Sequence, residues 1–172
     1  MSRRTYRYNN TDIENRNYIR QEGAYDFLFI GCDKHGQQIK EQLLGYLSRI
    51  YPTKVIIDLG TRDLYPNVVK EFKKSIGKMK GSLDFNNKIG ILIGYSGMGM
   101  AMCVNKIKPI RAAVCNNIND IFTAVVHQNM NVLCLGNHLQ SGELINIVDS
   151  YMRLEFDELP IHKTCVTNTG KI

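Results

Sequence analysis

Residues 94–99 read Gly-Tyr-Ser-Gly-Met-Gly. They follow the apolar run Ile89, Ile91, Leu92 and Ile93 directly, and from Met98 the chain can continue as a helix until Pro109. Small residues in such a turn let successive backbone N–H groups converge on one point, and the start of a helix adds partial positive charge there. The chemistry this suits is the holding of an anion, or of an oxygen that becomes anionic during a reaction. The same glycines also serve a plain sharp turn with close strand–helix packing, and the residues alone leave both readings open. Two common phosphate loops do not fit. Gly97 and Gly99 supply two glycines of a dinucleotide fingerprint, but Met102 stands where the third belongs, and no Gly-Lys-Ser/Thr follows as in a nucleoside triphosphate loop.

The turn needs a scaffold, and the flanking periodicities supply one. The run at 89–93 is short and β-branched, as in a strand buried on both faces of a parallel sheet. Similar runs at 26–31, 54–59, 111–115 and 131–136 predict four more strands. Between them, Ile39, Leu43, Leu44, Leu47 and Ile50 fall at helical spacing over 37–50, and Val68, Val69, Phe72 and Ile76 mark a second helix. Further helices are expected over 98–106, 118–128 and about 141–154, with loops at 32–36, 60–66 and 81–87. Strands alternating with helices predict an α/β domain: a three-layer α/β/α Rossmann-like fold around a five-stranded, doubly wound parallel sheet. Ligands of such sheets bind beyond the carboxyl ends of the strands, near the switch point. Asp33, the 94–99 turn, Asn116, Asn137 and His138 all fall at that edge.

At 172 residues and 44% hydrophobic content, the chain suits one domain with a substantial core. Residues 1–24 read as a polar, basic N-terminal extension and 25–172 as the domain. No apolar run approaches membrane-span length, and the first 25 residues lack the apolar core of a signal peptide, so a cytoplasmic setting is expected. The net charge of +6 comes largely from Arg3, Arg4, Arg7, Arg16 and Arg20 and from Lys70, Lys73, Lys74, Lys78 and Lys80. Neither group is interleaved with aromatics and no helix-turn-helix or finger spacing occurs, which favours a solvated basic face over a nucleic-acid surface. Cys32, Cys103, Cys115, Cys134 and Cys165 are scattered and show no zinc spacing. Reduced thiols, no metal and no cofactor are expected.

From about residue 26 onward the chain resembles the type B ribose-5-phosphate isomerases and the related galactose-6-phosphate isomerase subunits. The likeness is carried by Gly31-Cys32-Asp33, Asp58-Leu59-Gly60-Thr61, Tyr65-Pro66, Gly97-Met98-Gly99-Met100, Asn105-Lys106, Ile110-Arg111-Ala112-Ala113, the strand at 131–136, Ile147-Val148-Asp149 and Glu155-Phe156. The resemblance implies an aldose–ketose isomerisation of a sugar phosphate: a ring is opened, a base moves a proton between C2 and C1, and the turn amides of Gly97, Met98, Gly99 and Met100 stabilise the enediolate oxygen. It further implies that Asp33 handles sugar hydroxyls, that Ser96 stands for the family's threonine, and that His127 is the ring-opening histidine. Sites in this family are completed across a dimer, so a homodimer or a dimer of dimers is expected. Read without the family, Asp33 is a loop aspartate capping the next helix and His127 a histidine at a helix C-terminus.

Departures from the family pattern are as informative as the matches. Its usual base, a cysteine directly after the central strand, is Gly94 here, and the glutamate that some members place later in the turn is Met100. Tyr95 replaces a small residue and is a poor base, Cys103 reads as core packing, and Cys32 occurs in ordinary members too. Of the phosphate-binding set, Lys34 and His138 replace a histidine and an arginine, and Ile161 and Cys165 stand at two arginine positions of the neighbouring subunit. His162 and Lys163 offer point charges without the arginine fork. The expectation is an isomerase of weakened or altered activity, with a degenerate sugar-phosphate or anion-binding protein, or a companion subunit of an active isomerase, as the alternatives.

Overall fold

The computed structural model describes residues 25–78 and 87–171. The N-terminal extension and most of the loop expected at 81–87 lie outside the described residues. Five strands form one parallel sheet: β1 (Phe27–Asp33), β2 (Val55–Arg62), β3 (Lys88–Gly94), β4 (Ala112–Val114) and β5 (Val132–Gly136). Their order across the sheet is β2-β1-β3-β5-β4. The chain steps outward from β1 to β2 and then returns to place β3 on the other side of β1. That reversal is the switch point, and it opens a crevice between the carboxyl ends of β1 and β3.

Alternation along the strands divides the core between the two sheet faces. Leu28, Ile30 and Cys32 of β1 join Ile89, Ile91 and Ile93 of β3 on one face. There they meet α1 (Gln37–Ile50), α4 (Ile118–Phe122) and α5 (Ser141–Arg153) through Leu43, Leu47, Phe122, Leu144 and Val148. Phe29 and Leu92 point the other way, toward α2 (Tyr65–Gly77) and α3 (Met98–Val104), where Val68, Phe72, Met100 and Val104 fill the layer. Phe29 and Phe72 meet edge to face with centroids 5.7 Å apart. The expected three-layer architecture is therefore present, with all five strands where the apolar runs predicted them.

Several boundaries differ from the sequence reading, and β1 runs on through Cys32 and Asp33, where a loop over 32–36 was expected. β2 runs on through Gly60, Thr61 and Arg62, where a loop was expected. Gly60 takes φ +78° at an irregularity in the β1–β2 register, and Asp58 Oδ1 accepts both the Gly60 N–H and the buried Lys40 ammonium at 2.8 Å, so the bulge is held and pairing resumes at Thr61. The helix expected over 118–128 is α-helical only to Phe122 and widens into a π-turn, Thr123–His127. A last helix, α6 (Pro160–Thr169), carries no buried residue, and without an apolar stripe the sequence offered no period from which to predict it.

Candidate active site

The register aligns Gly94 at the end of β3 with Gly136 at the end of β5, and β1 ends in Asp33 on the other side of β3. Asp33, the 94–99 turn and the loop after β5 are therefore neighbours by construction. The turn is fixed by the backbone. Gly97 adopts φ +75°, and a Cβ there would lie 3.1 Å from both the carbonyl carbon and oxygen of Leu135, so neither the conformation nor the space admits a side chain. Asn137 N–H donates to Tyr95 O at 3.1 Å, and Ala101 N–H to Gly97 O at 2.9 Å. Ser96 Oγ accepts from Met98 N–H at 3.4 Å. The amides of Gly97, Gly99 and Met100 have no partner among the described residues. With α3 only seven residues long, these three N–H groups are what the turn presents to an oxygen, rather than a long helix dipole.

The glycine at 97 thus answers both readings of the turn: it closes the packing against β5 and in doing so aims the amides outward. Met98 and Met100 contribute differently despite their spacing. The Met98 side chain is exposed, whereas that of Met100 is 1% exposed and packs beneath the turn. Lys34 and His138 are exposed on the loops that flank the turn.

Asp33 is 6% exposed. Its Oδ1 accepts the His35 N–H at 2.9 Å and its main-chain oxygen accepts Gly36 N–H at 3.0 Å. This is a tight loop closed by the carboxylate. It is not the helix cap that the residue alone suggested, because α1 starts after Gly36 with no side-chain cap. Oδ2 accepts no bond among the described residues and faces residue 94, where a Cβ would sit 3.1 Å away, with Met100 Cε at 3.7 Å. Two groups that the sequence did not pair also meet here: the His35 ring lies edge-on to Tyr95 at 5.6 Å, with Tyr95 69% exposed. Nothing in the linear pattern links positions 35 and 95. The thiols are poor substitutes for a base. Burial raises the Cys32 thiol above its ordinary range although Thr61 Oγ1 lies 3.3 Å from it, and Cys103 packs on the α2–α3 core.

His127 lies elsewhere. It ends the π-turn that leads into the start of β5, at the amino edge of the sheet. The length of β5, four steps of roughly 3.3 Å or about 13 Å in all, separates that edge from the turn. Its ring lies 4.4 Å from that of His162 on α6, tilted by 31°, and meets Phe122 edge-on at 5.5 Å. His162 Nδ1 in turn reaches Asp157 Oδ2 at 2.7 Å and Oδ1 at 2.9 Å. Asp157, which the sequence reading missed, has a side chain only 3% exposed, accepts Leu159 N–H at 3.1 Å and donates its own N–H to Val126 O at 3.1 Å. Burial lowers the pKa of His127 from 6.5, and His162 lowers it further against the opposing pull of Asp157.

Donor atoms of His127, Asp157 and His162 lie within 4.8 Å of one another, a grouping that linear spacing does not disclose. The Asp157 carboxylate and the His162 ring already satisfy each other, as in a latch between the helix and the π-turn. Lys163 pairs with Glu158 at 2.8 Å on the exposed side of α6. The candidate residues therefore fall into two groups in one chain. Asp33, Lys34, Ser96, Gly97, Met98, Gly99, Met100 and His138 share the carboxyl edge, while His127, His162 and Lys163 share the amino edge.

Known proteins resemble this chain in sequence and fold. D-erythrulose-4-phosphate isomerase 2 of Mycolicibacterium smegmatis is 29% identical over 136 residues, covering 76% of this chain and 86% of its own. The structure of ribose-5-phosphate isomerase B from Clostridium thermocellum superposes with a TM-score of 0.73 at 28% identity, covering 84% of this chain and 95% of that one. The Mycoplasma genitalium ribose-5-phosphate isomerase B, solved with bound ribulose-5-phosphate, gives a TM-score of 0.75 at 27% identity over 86% and 96% of the two chains. The sequence profile of the Ribose/Galactose Isomerase family matches residues 28–168, nearly the whole described domain, and the chain belongs to that family.

Proposed function

We propose that this chain is an aldose–ketose isomerase of a phosphorylated sugar, altered in its catalytic base, with sites completed between two copies of the chain. The observation that carries the reading is the pairing, at the switch point, of a buried carboxylate with three amides that have no partner among the described residues, in a chain of the isomerase family. An open-chain sugar needs those two things: a group to handle its hydroxyls and protons, and donors for the oxygen that becomes anionic at the enediolate stage. Loss of one preorganised donor to such an oxygen costs roughly 2.7–4 kcal/mol in comparable sites. Ser96 adds a hydroxyl whose oxygen braces the Met98 amide and whose hydrogen is left to donate. Lys34 and His138 flank the turn as the local phosphate charges, and His162 and Lys163 of a second copy supply the rest. The ribulose-5-phosphate held by the Mycoplasma genitalium relative supports a phosphorylated ligand of that size.

Distance favours two copies. His127 stands at the far edge of its own sheet, so its ring can reach a turn only in another molecule. α6, with Ile161 65% exposed and no buried side chain, is a ten-residue helix too short to persist without a surface to lie on. Gly94 and Met100 favour a second reading, since neither can accept a proton: a sugar-phosphate binder, or a companion to an active isomerase.

The test offers purified protein ribose 5-phosphate, allose 6-phosphate and galactose 6-phosphate while ketose formation is followed, alongside sedimentation at micromolar concentration. Turnover of one substrate by a dimer or larger species is expected. Binding without turnover would select the second reading, and a stable monomer with full activity would remove the shared site.

A further inference from the structure

We infer that Asp33 is the proton-transferring base of this isomerase, acting through Oδ2 in the space that residue 94 leaves open. The inference rests on the isomerase reading above and goes beyond the handling of hydroxyls. A side chain at 94 would carry its reactive atom into the crevice between β1 and β3, and Oδ2 already stands there, 3.1 Å from the Cβ position. Its direction is fixed, because Oδ1 is held by the His35 amide at 2.9 Å and the residue is 6% exposed, while Oδ2 accepts nothing among the described residues. The other candidates are worse placed: Met100 and Cys103 pack in the core, and burial keeps the Cys32 thiol protonated. The amides that would hold O1 begin three residues after Gly94, so a substrate with O1 on the turn lays C1 and C2 along the Asp33 side.

The step balances without another reactant. Oδ2 takes the proton from C2 of the open-chain aldose phosphate. The C–H electron pair becomes the C1–C2 double bond, and the carbonyl pair moves onto O1 beneath the amides of Gly97, Gly99 and Met100. The hydroxyl proton on O2 passes to O1, the O2 pair re-forms a carbonyl at C2, and Asp33 returns its proton to C1.

A tetrose 4-phosphate separates this role from ring opening, because with its O4 phosphorylated it has no furanose ring to open. Asp33→Asn is expected to lower kcat by about 10²–10⁴ on both the aldotetrose 4-phosphate and ribose 5-phosphate, with KM changed far less. In Asp33→Ala, added formate should restore part of the tetrose turnover, which a merely structural loss would not permit. Gly94→Cys in the Asp33→Asn background should likewise recover activity through a thiolate. Asp33→Asn that loses only ribose 5-phosphate turnover, or Asp33→Ala that ignores formate while still binding ribulose 5-phosphate, would overturn the assignment and leave the isomerase reading standing. A wild type inactive on every sugar phosphate offered would remove both.

Discussion

The two edges of the sheet are built by different means. At the carboxyl edge, strand ends in fixed register bring Asp33, Gly94 and Gly136 together, and glycine conformation sets the turn, so the geometry follows from backbone and short-range sequence. At the amino edge, a π-turn and a surface helix far from it in the chain are joined by side chains, His127 on His162 and His162 on Asp157, and by the Asp157 backbone N–H, which donates to the Val126 carbonyl. The first is a rigid cradle. The second is a latch made of ionisable rings on a helix that buries no side chain among the described residues.

The largest effect that could break this contrast is complementation. Asp33→Asn and His127→Ala, each expected to lose on the order of 10²-fold or more in kcat, fail at opposite edges. Mixed and re-paired, half of the dimers would be heterodimers with one intact site of two, so activity should return to roughly a quarter of wild type. No recovery in a verified heterodimer would place both residues in the same chain's site, against the distance between them. Gly97→Ala comes next. Left-handed strain together with contact on the Leu135 backbone should cost roughly 2–4 kcal/mol in urea unfolding, whereas Ser96→Ala, which removes one long hydrogen bond, should cost less than about 1 kcal/mol. A Gly97→Ala protein of unchanged stability that nevertheless loses phosphate binding would show the glycine answering to the ligand and not to β5.

The smallest effect is on pH. The folded state lowers the pKa of His127 below 6.5, so the unfolded chain binds the proton more readily and stability falls as pH drops through that value. His127→Gln removes this component. The wild-type melting temperature should fall more steeply between about pH 7 and pH 5 than that of the variant, and parallel curves would mean that the latch does not sense protonation.

The carboxyl edge was legible in advance because each of its parts has a local signal: the β-branched run before Gly94, the clustered small residues, and an aspartate closing the loop after the first strand. Even there the residues left the use of Gly97 open, and the structure shows that a side chain there would strike the Leu135 backbone of β5. Gly60 misled. A glycine at φ +78° reads as a breaker, yet Asp58 holds its amide and the strand continues. Residues 160–169 gave no periodic signal, because a helix without a buried side chain has no period; Pro160 in the first turn was the local cue, and the Asp157 carboxylate accepts the Leu159 N–H just ahead of it.

The sequence by itself determined the alternation of strands and helices, the parallel sheet and the turn after its central strand, because apolar period and glycine placement act over a few residues and survive without knowledge of neighbours. It also determined that residues 94 and 100 offer no base. Only the tertiary structure decided that Asp33 Oδ2 faces the space beside Gly94, that His35 lies against Tyr95, and that His127 stands a full strand length from the turn. Those are relations between segments whose separation in sequence carries no trace of their separation in space, and they are set by sheet order and register once the two faces of the core have closed.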